Sequence, residues 1–290
     1  MLLVNFTWVF QVVKLMRVKH WLKSGFVFLP LIFSEQVFVG MAWVNALLAF
    51  LLFCLCSSAI YVVNDIFDAS KDCQHPIKKH RPIASGFFSP YHGWIIATNI
   101  ALLALLFSMF VTPVTRLVVL GYFVMNVAYS LILKHEVLLD VFIIAIGFVL
   151  RVVAGGVALG NYTTSWLVLV TFFIALFLAL GKRRHELLFV DLPGGPLRPV
   201  LEHYNEKLLD YLIIISATLT IITYSLYVML NEPYVYTLPF VIFGMFRYLL
   251  LVYTQESGGD PTDTLSRDKV IIMNVGVWSL LVTGLFFLSN

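Results

Sequence analysis

Charge is scarce in this chain. Only 12% of its 290 residues are Asp, Glu, Lys or Arg, and 60% are hydrophobic, where a soluble domain carries about 25% charged and roughly 45–50% apolar residues. Mean hydropathy is +0.93, so there is too little polar surface to solvate a compact ball of this length. A soluble enzyme and a disordered tail are excluded. Cysteine is rare as well: Cys54, Cys56 and Cys73 include no CxxC and cannot all pair, which excludes a disulfide scaffold and carries no metal or redox signal. Cys54 and Cys56 sit in a continuous apolar run, where they read as small buried hydrophobes. A cleavable leader is also missing. The apolar start from Leu2 to Val13 precedes the charges Lys14, Arg17 and Lys19 and has no small-residue cleavage site, so residues 1–20 read as an interfacial segment.

What the chain has is long apolar runs. A helix crosses the hydrocarbon with about 20 mostly apolar residues. Eight windows fit, near 37–63, 91–111, 114–133, 138–159, 166–181, 208–230, 234–253 and 270–288. A ninth, near 21–33, is short and carries Lys23. The positive-inside rule decides whether it crosses. If it does, only Arg116 faces out, Arg151 and Arg247 lie inside spans, and the other sixteen of the 19 Lys and Arg face the cytoplasm. The expectation is therefore an all-α, polytopic membrane protein with nine transmembrane helices in one domain, 1–290. Its N-terminus is inside and its C-terminus outside the inner (cytoplasmic) membrane, with inner loops near 64–90, 182–207 and 255–269. The net charge of +3 is then a matter of topology and anionic lipid, and no nucleic-acid partner is implied.

The segment Tyr61-Val-Val-Asn64-Asp65-Ile-Phe-Asp68-Ala-Ser-Lys71-Asp72 carries the most chemistry. On a continuing helix Asn64, Asp68 and Asp72 recur every fourth residue and share a face with Tyr61 near it, while Asp65 points about 100° away. Such a row of hard oxygens suits Mg2+, which takes one or two carboxylates and completes its shell with water and substrate phosphate. The alternative is an exposed helix end whose Asp65 and Asp68 pair with Lys71 and Lys78. The next residues, Cys73-Gln-His75-Pro76-Ile-Lys78-Lys79-His80-Arg81-Pro82, set bases beside the acids, as a metal-bridged diphosphate requires. Pro76, Pro82 and Gly86 mark a loop of defined turns.

These residues resemble the first aspartate-rich motif of the UbiA superfamily of intramembrane prenyltransferases. That resemblance implies nine helices around a central cavity opening to the cytoplasm. The chain is similar, further, to the decaprenyl-phosphate phosphoribosyltransferase branch, which makes polyprenyl-phosphoryl ribose 5-phosphate. The matching residues are Lys19-His-Trp21-Leu-Lys23, Asp72-x-x-His75-Pro76-x-Lys78-x-x-Arg81-Pro82, Tyr129-Ser-Leu-Ile-Leu-Lys134-His135, Asp140-Val-Phe-Ile, Gly147-x-x-x-Arg151, Gly181-Lys182-Arg183-Arg184, Arg247-Tyr248 and Gly259-Asp260-Pro. The match covers nearly the whole chain in order. One departure from the superfamily is informative. A second aspartate-rich row is missing, and the region reads Lys134-His-Glu136-Val-Leu-Leu-Asp140. Fewer acids and more cation suit phosphoribosyl pyrophosphate, whose 5-phosphate lies far from its diphosphate.

The resemblance implies Mg2+ on Asn64, Asp68 and Asp72, with Asp65 beside them in the catalytic row. Lys23, Tyr61, Lys78, Lys79, Arg81, Tyr129, Lys134, Asp140, Arg151 and Lys182 would bind phosphoribosyl pyrophosphate and polyprenyl phosphate. Membrane lipid and a homo-oligomeric assembly complete the partners. Two alternatives stand beside it: prenyl transfer from a prenyl diphosphate to an aromatic or other acceptor, and a non-catalytic binder or carrier of lipid phosphate. Arg151 lies 11 residues after Asp140, about 16 Å deeper along the helix. Arg151 and Arg247 read equally as structural or as substrate-facing, since a charge at that depth needs a partner or a polar cavity.

Overall fold

The structure, a computed structural model, describes residues 2–74, 78–160, 163–188, 199–230, 232–254 and 267–289. Among the described residues there is no strand. The chain forms two compact units, one running to Thr164 and the other built from the helices after it. The first holds α1 (Leu2–Leu15), a 3-10 helix (Val18–Phe28), α2 (Leu29–Ile32), α3 (Gly40–Phe67), α4 (Ala69–Asp72), α5 (Pro90–Phe107), α6 (Pro113–Leu131) and α7 (Leu139–Ala158). The second holds α8 (Ser165–Leu188), α9 (Glu206–Met229), α10 (Leu238–Thr254) and α11 (Lys269–Ser289).

Local chemistry sets the starts of these helices. Ser89-Pro90 and Thr112-Pro113 open α5 and α6 alike: the hydroxyl accepts from the backbone N–H three residues on, and proline takes a first-turn position where its missing N–H costs nothing. Asn205 caps α9 through the Leu208 N–H. Among the described residues, eight helices are long and apolar enough to cross a membrane, and they fall on the eight expected windows.

The ninth window is built differently. Residues 18–28 wind as a 3-10 helix, and Pro30 sits in the first turn of the short α2. Eleven residues at ~2.0 Å rise cover about 22 Å, more than an α-helix of equal length. This segment packs between α3 and α7. Its Val27 carbonyl lies directly against Gly155, where an added Cβ would meet the oxygen at 2.0 Å. Glycine therefore lets α7 touch the backbone of its neighbour. In this unit α3 is the central element, packed by α5, α6, α7 and the 3-10 helix. Phe53, Leu52 and Ala49 are among its buried residues, with Val27, Val119 and Ala154 from its neighbours.

Arg151, 5% exposed, is a structural clamp within this core. Its Nη1 donates to the Gly147 carbonyl (2.7 Å) and its Nη2 to the Tyr122 hydroxyl (2.7 Å), which also contacts Ser57 Oγ at 3.0 Å. The guanidinium lies 4.7 Å from the Tyr122 ring centroid and 5.3 Å from that of Phe148. One side chain thus ties α3, α6 and α7 together. Tyr122→Phe is expected to lower stability by ~1–3 kcal/mol, because it strands a buried charged donor. Thermal unfolding in detergent measures this, and an unchanged melting temperature would contradict the clamp.

In the second unit α8 runs seven residues past the expected end of its span. Lys182, Arg183 and Arg184 are therefore helical instead of opening a loop. Arg183 is 1% exposed and donates to Glu186 (2.6 Å). Arg184 donates to Asp210 (2.7 Å) and stacks 4.4 Å from the Tyr253 ring, so it joins α8, α9 and α10. Arg247 donates to Asp268 through Nη2 at 2.8 Å, which gives this intramembrane charge a structural partner. That hydrogen bond holds the Asp268 carboxyl below the usual carboxylate range. The pair's contribution is present at neutral pH and is lost as pH falls through that lowered value.

Candidate active site

Twenty-eight helical residues cover about 42 Å, more than the ~30 Å hydrocarbon. The C-terminal turns of α3, where the acids begin, therefore extend beyond what the bilayer needs. Asp68 makes a one-residue bend between α3 and α4 (φ −90°, ψ 0°), yet helical bonding crosses it. The Asp68 N–H donates to the Asn64 carbonyl (2.9 Å) and the Asp72 N–H to the Asp68 carbonyl (2.8 Å).

The carboxylates sort differently from the expected row. Asp65 and Asp72 are seven residues apart, nearly two full turns, and they share one base. Arg81 Nη1 donates to Asp65 Oδ1 at 3.2 Å and to Asp72 Oδ2 at 2.5 Å. Asp68 instead receives Lys134 Nζ at 3.1 Å. So Asp72 shares its base with the acid expected to point away, and Arg17, Arg81 and Lys134 are bases seen on Asp65 and Asp68. Asn64 is half-buried one turn before Asp68. Asp65 is 2% exposed and also accepts from Arg17 Nη2. The Arg17 guanidinium lies 4.9 Å from the Tyr61 ring centroid.

The loop after α4 aims Arg81. Pro82, Ile83 and Phe88 are buried, with Ile83 and Phe88 in a cluster with Leu15, Val62 and Ala97. The Ser85 N–H donates to the Arg81 carbonyl (2.8 Å) and the Phe88 N–H to that of Pro82 (3.0 Å). Gly86 takes φ 78°, a left-handed turn that suits glycine. Lys14 Nζ donates to the His80 carbonyl (2.8 Å) and the Trp8 and Phe88 rings meet edge-on, so α1 fastens the loop.

Of the other expected residues, Lys78 is half-buried and Lys79 exposed on the 78–80 turn. Tyr129 is half-buried on α6, five residues before Lys134. Asp140 is fully buried in the first turn of α7, just after Leu138, which adopts φ 67°. Lys23 is half-buried on the 3-10 helix. Arg151 belongs to the clamp described above, and Lys182 to the second unit. His75, Pro76, Gly194, Gly195, Gly259, Asp260, Pro261 and Asp263 lie outside the described residues. Arg17 is the residue that sequence reasoning overlooked. It counted only as an inner-side charge, and its partner is 48 positions away.

Among the described residues no three His, Cys, Asp or Glu side chains gather as a ready-made metal cage. The donor chemistry nonetheless fits a hard cation, because a cationic nitrogen of Arg81 already bridges two carboxylates. Arg17 and Arg81 balance Asp65 and Asp72, and Lys134 balances Asp68, so the six groups sum to zero charge.

The sequence profile of the UbiA prenyltransferase family matches residues 27–264. Decaprenyl-phosphate phosphoribosyltransferase of Mycobacterium tuberculosis is 31% identical over 92% of this chain and 91% of its own length. The protein of the same name from Corynebacterium glutamicum is 32% identical over 92% of this chain and 83% of its own. A UbiA homolog from Archaeoglobus fulgidus, solved bound to GPP and Mg2+, superposes with a TM-score of 0.69 at 20% identity, covering 96% of this chain and 98% of that one. With eight long apolar helices, an acid-and-base site at the end of α3 and a family match over most of its length, this multi-pass membrane protein belongs to the UbiA prenyltransferase family.

Proposed function

We propose that the chain transfers 5-phosphoribose from phosphoribosyl pyrophosphate to a polyprenyl phosphate and releases pyrophosphate. One observation carries this reading: similarity along 92% of the chain to decaprenyl-phosphate phosphoribosyltransferase. The site's makeup supports it, with Lys134 on Asp68 in the region where other family members hold further acids.

Mg2+, when bound, neutralises the leaving diphosphate, and Asn64, Asp68 and Asp72, with Asp65 beside them, are the residues that would hold it. Arg81 and Lys134, released from their carboxylates, pair with phosphate oxygens, and Lys78 and Lys79 add charge at the loop. Lys23 meets the phosphate of the acceptor, whose tail stays in lipid. That acceptor oxygen is already anionic, so no general base is needed. The C1–O bond to pyrophosphate breaks as the C1–O bond to the lipid phosphate forms, and the anomeric centre inverts. The residues act by alignment and by neutralising charge around an oxocarbenium-like carbon. In this reading the basic segments face the cytoplasm, with the N-terminus inside and the C-terminus outside the inner membrane.

The test uses purified protein in detergent with Mg2+, a short polyprenyl phosphate and radiolabelled phosphoribosyl pyrophosphate. A parallel reaction offers prenyl diphosphate and 4-hydroxybenzoate. Label is expected in the organic phase, to vanish with EDTA, and to fall at least ~100-fold in Asp68→Ala. Prenylated aromatic with no lipid-linked phosphoribose would return the chain to ordinary prenyl transfer.

A further inference from the structure

Arg17 has an unusual backbone for its residue type. It adopts φ 51° and ψ 50°, a left-handed conformation that is unfavourable for a non-glycine residue and persists only where surroundings over-determine it. Those surroundings are visible. Leu15 is fully buried, Lys14 holds the His80 carbonyl, and the Trp21 Nε1–H donates to Ser58 Oγ (3.0 Å), which donates to the Met16 carbonyl (3.0 Å). Anchors on both sides thus fix the turn at Arg17, which carries its side chain to Asp65.

The charge arrangement explains what this serves. Asp65 is buried and takes two guanidinium groups, whereas Arg81 must also hold Asp72. A divalent cation entering this balanced group would leave it doubly positive. A metal-bridged diphosphate brings its own negative charge, and a released guanidinium pairs with that charge. Of the two bases on Asp65, Arg17 is the one placed to leave first: it holds that carboxylate alone, and at that moment Arg81 still covers both buried acids. Its anchors keep the backbone in place, so a side-chain rotation suffices.

We propose that Arg17 is a phosphate ligand held in reserve: it occupies Asp65 in the resting chain and turns onto a diphosphate oxygen when the metal-bridged diphosphate arrives. The inference rests on the metal-and-diphosphate part of the proposed function, and it holds whether the donor is a phosphoribosyl or a prenyl diphosphate.

The test is made on the full chain in detergent, with Mn2+ as a paramagnetic probe and inorganic pyrophosphate. Arg17→Gln is expected to bind Mn2+ alone about tenfold more tightly, because Asp65 is uncovered. It is expected to bind pyrophosphate in the presence of Mn2+ about tenfold more weakly, because a phosphate ligand is gone. Arg17→Lys keeps a charge against Asp65 for folding and should show both shifts at about threefold, since ammonium lacks the planar fork. A purely structural Arg17 would move both affinities in the same direction or neither, and either result in a folded variant overturns the proposal. Failure of phosphoribose transfer by the unaltered chain would remove the donor assignment while these two titrations still judge Arg17.

Discussion

Alanine at Gly155 is expected to leave little folded protein. Its Cβ would lie 2.0 Å from the Val27 oxygen and 2.9 Å from the Val27 carbonyl carbon, with Pro30 Cδ at 3.2 Å. Two of these atoms are backbone and cannot rotate aside. Helix propensity alone favours alanine over glycine by about 1 kcal/mol, so it predicts the opposite sign. Overpacking normally costs ~1–3 kcal/mol, and this contact belongs at the upper end or beyond. Gly121→Ala on α6, where nothing lies within 4 Å of the added carbon, is the control and should melt at or slightly above the unaltered chain. Yield of monodisperse protein and melting temperature in detergent decide the matter. Equal melting of both variants would mean that the close approach of α7 and the 3-10 helix is wrong.

Arg81→Met should be the most damaging change in the site. It removes the base between Asp65 and Asp72, which are 2% and 4% exposed. Uncovering buried charges in this way costs ~3–5 kcal/mol. The lower end applies, since the Arg81 side chain is itself 27% exposed and partly screened by solvent. Transfer should fall at least ~100-fold, because the same guanidinium is a phosphate partner in the proposed reaction. A second variant separates the two effects. Arg81→Met with Asp72→Asn removes both charges of the pair, so it should recover much of the stability and none of the transfer. Recovery of transfer in the double variant would show that Arg81 serves only to neutralise Asp72.

Most of the fold was legible because hydropathy alone decides which segments can cross a bilayer, and all eight long windows became helices. The end of α8 was misplaced, since the apolar run stops at Gly181 while helical geometry continues to Leu188 by pairing Arg183 with Glu186. The ninth segment stood out as a short apolar window, but its winding did not, because the Gly155 contact with Val27 is tertiary. Within the site the acids and Arg81 stood out by composition. Their pairing did not: a four-residue spacing joined Asp72 to Asp68, and an equally helical seven-residue spacing joins it to Asp65. Arg17 and Lys134 reach their acids across 48 and 66 positions, and no local pattern announces such contacts.

The 3-10 helix gives residues 18–28 a length that depends on how they are wound. At ~2.0 Å per residue they extend about 22 Å, and as an α-helix they would extend about 16 Å. Rewinding would draw the two ends together by roughly 6 Å, about the reach of one long side chain. With Val27 pressed against α7 near one end, the shortening would be felt mostly at the other, where Arg17 and Lys19 lie. The segment therefore works as a spacer of set length, and the tight seat at Gly155 keeps the basic end in register with the acids of α3.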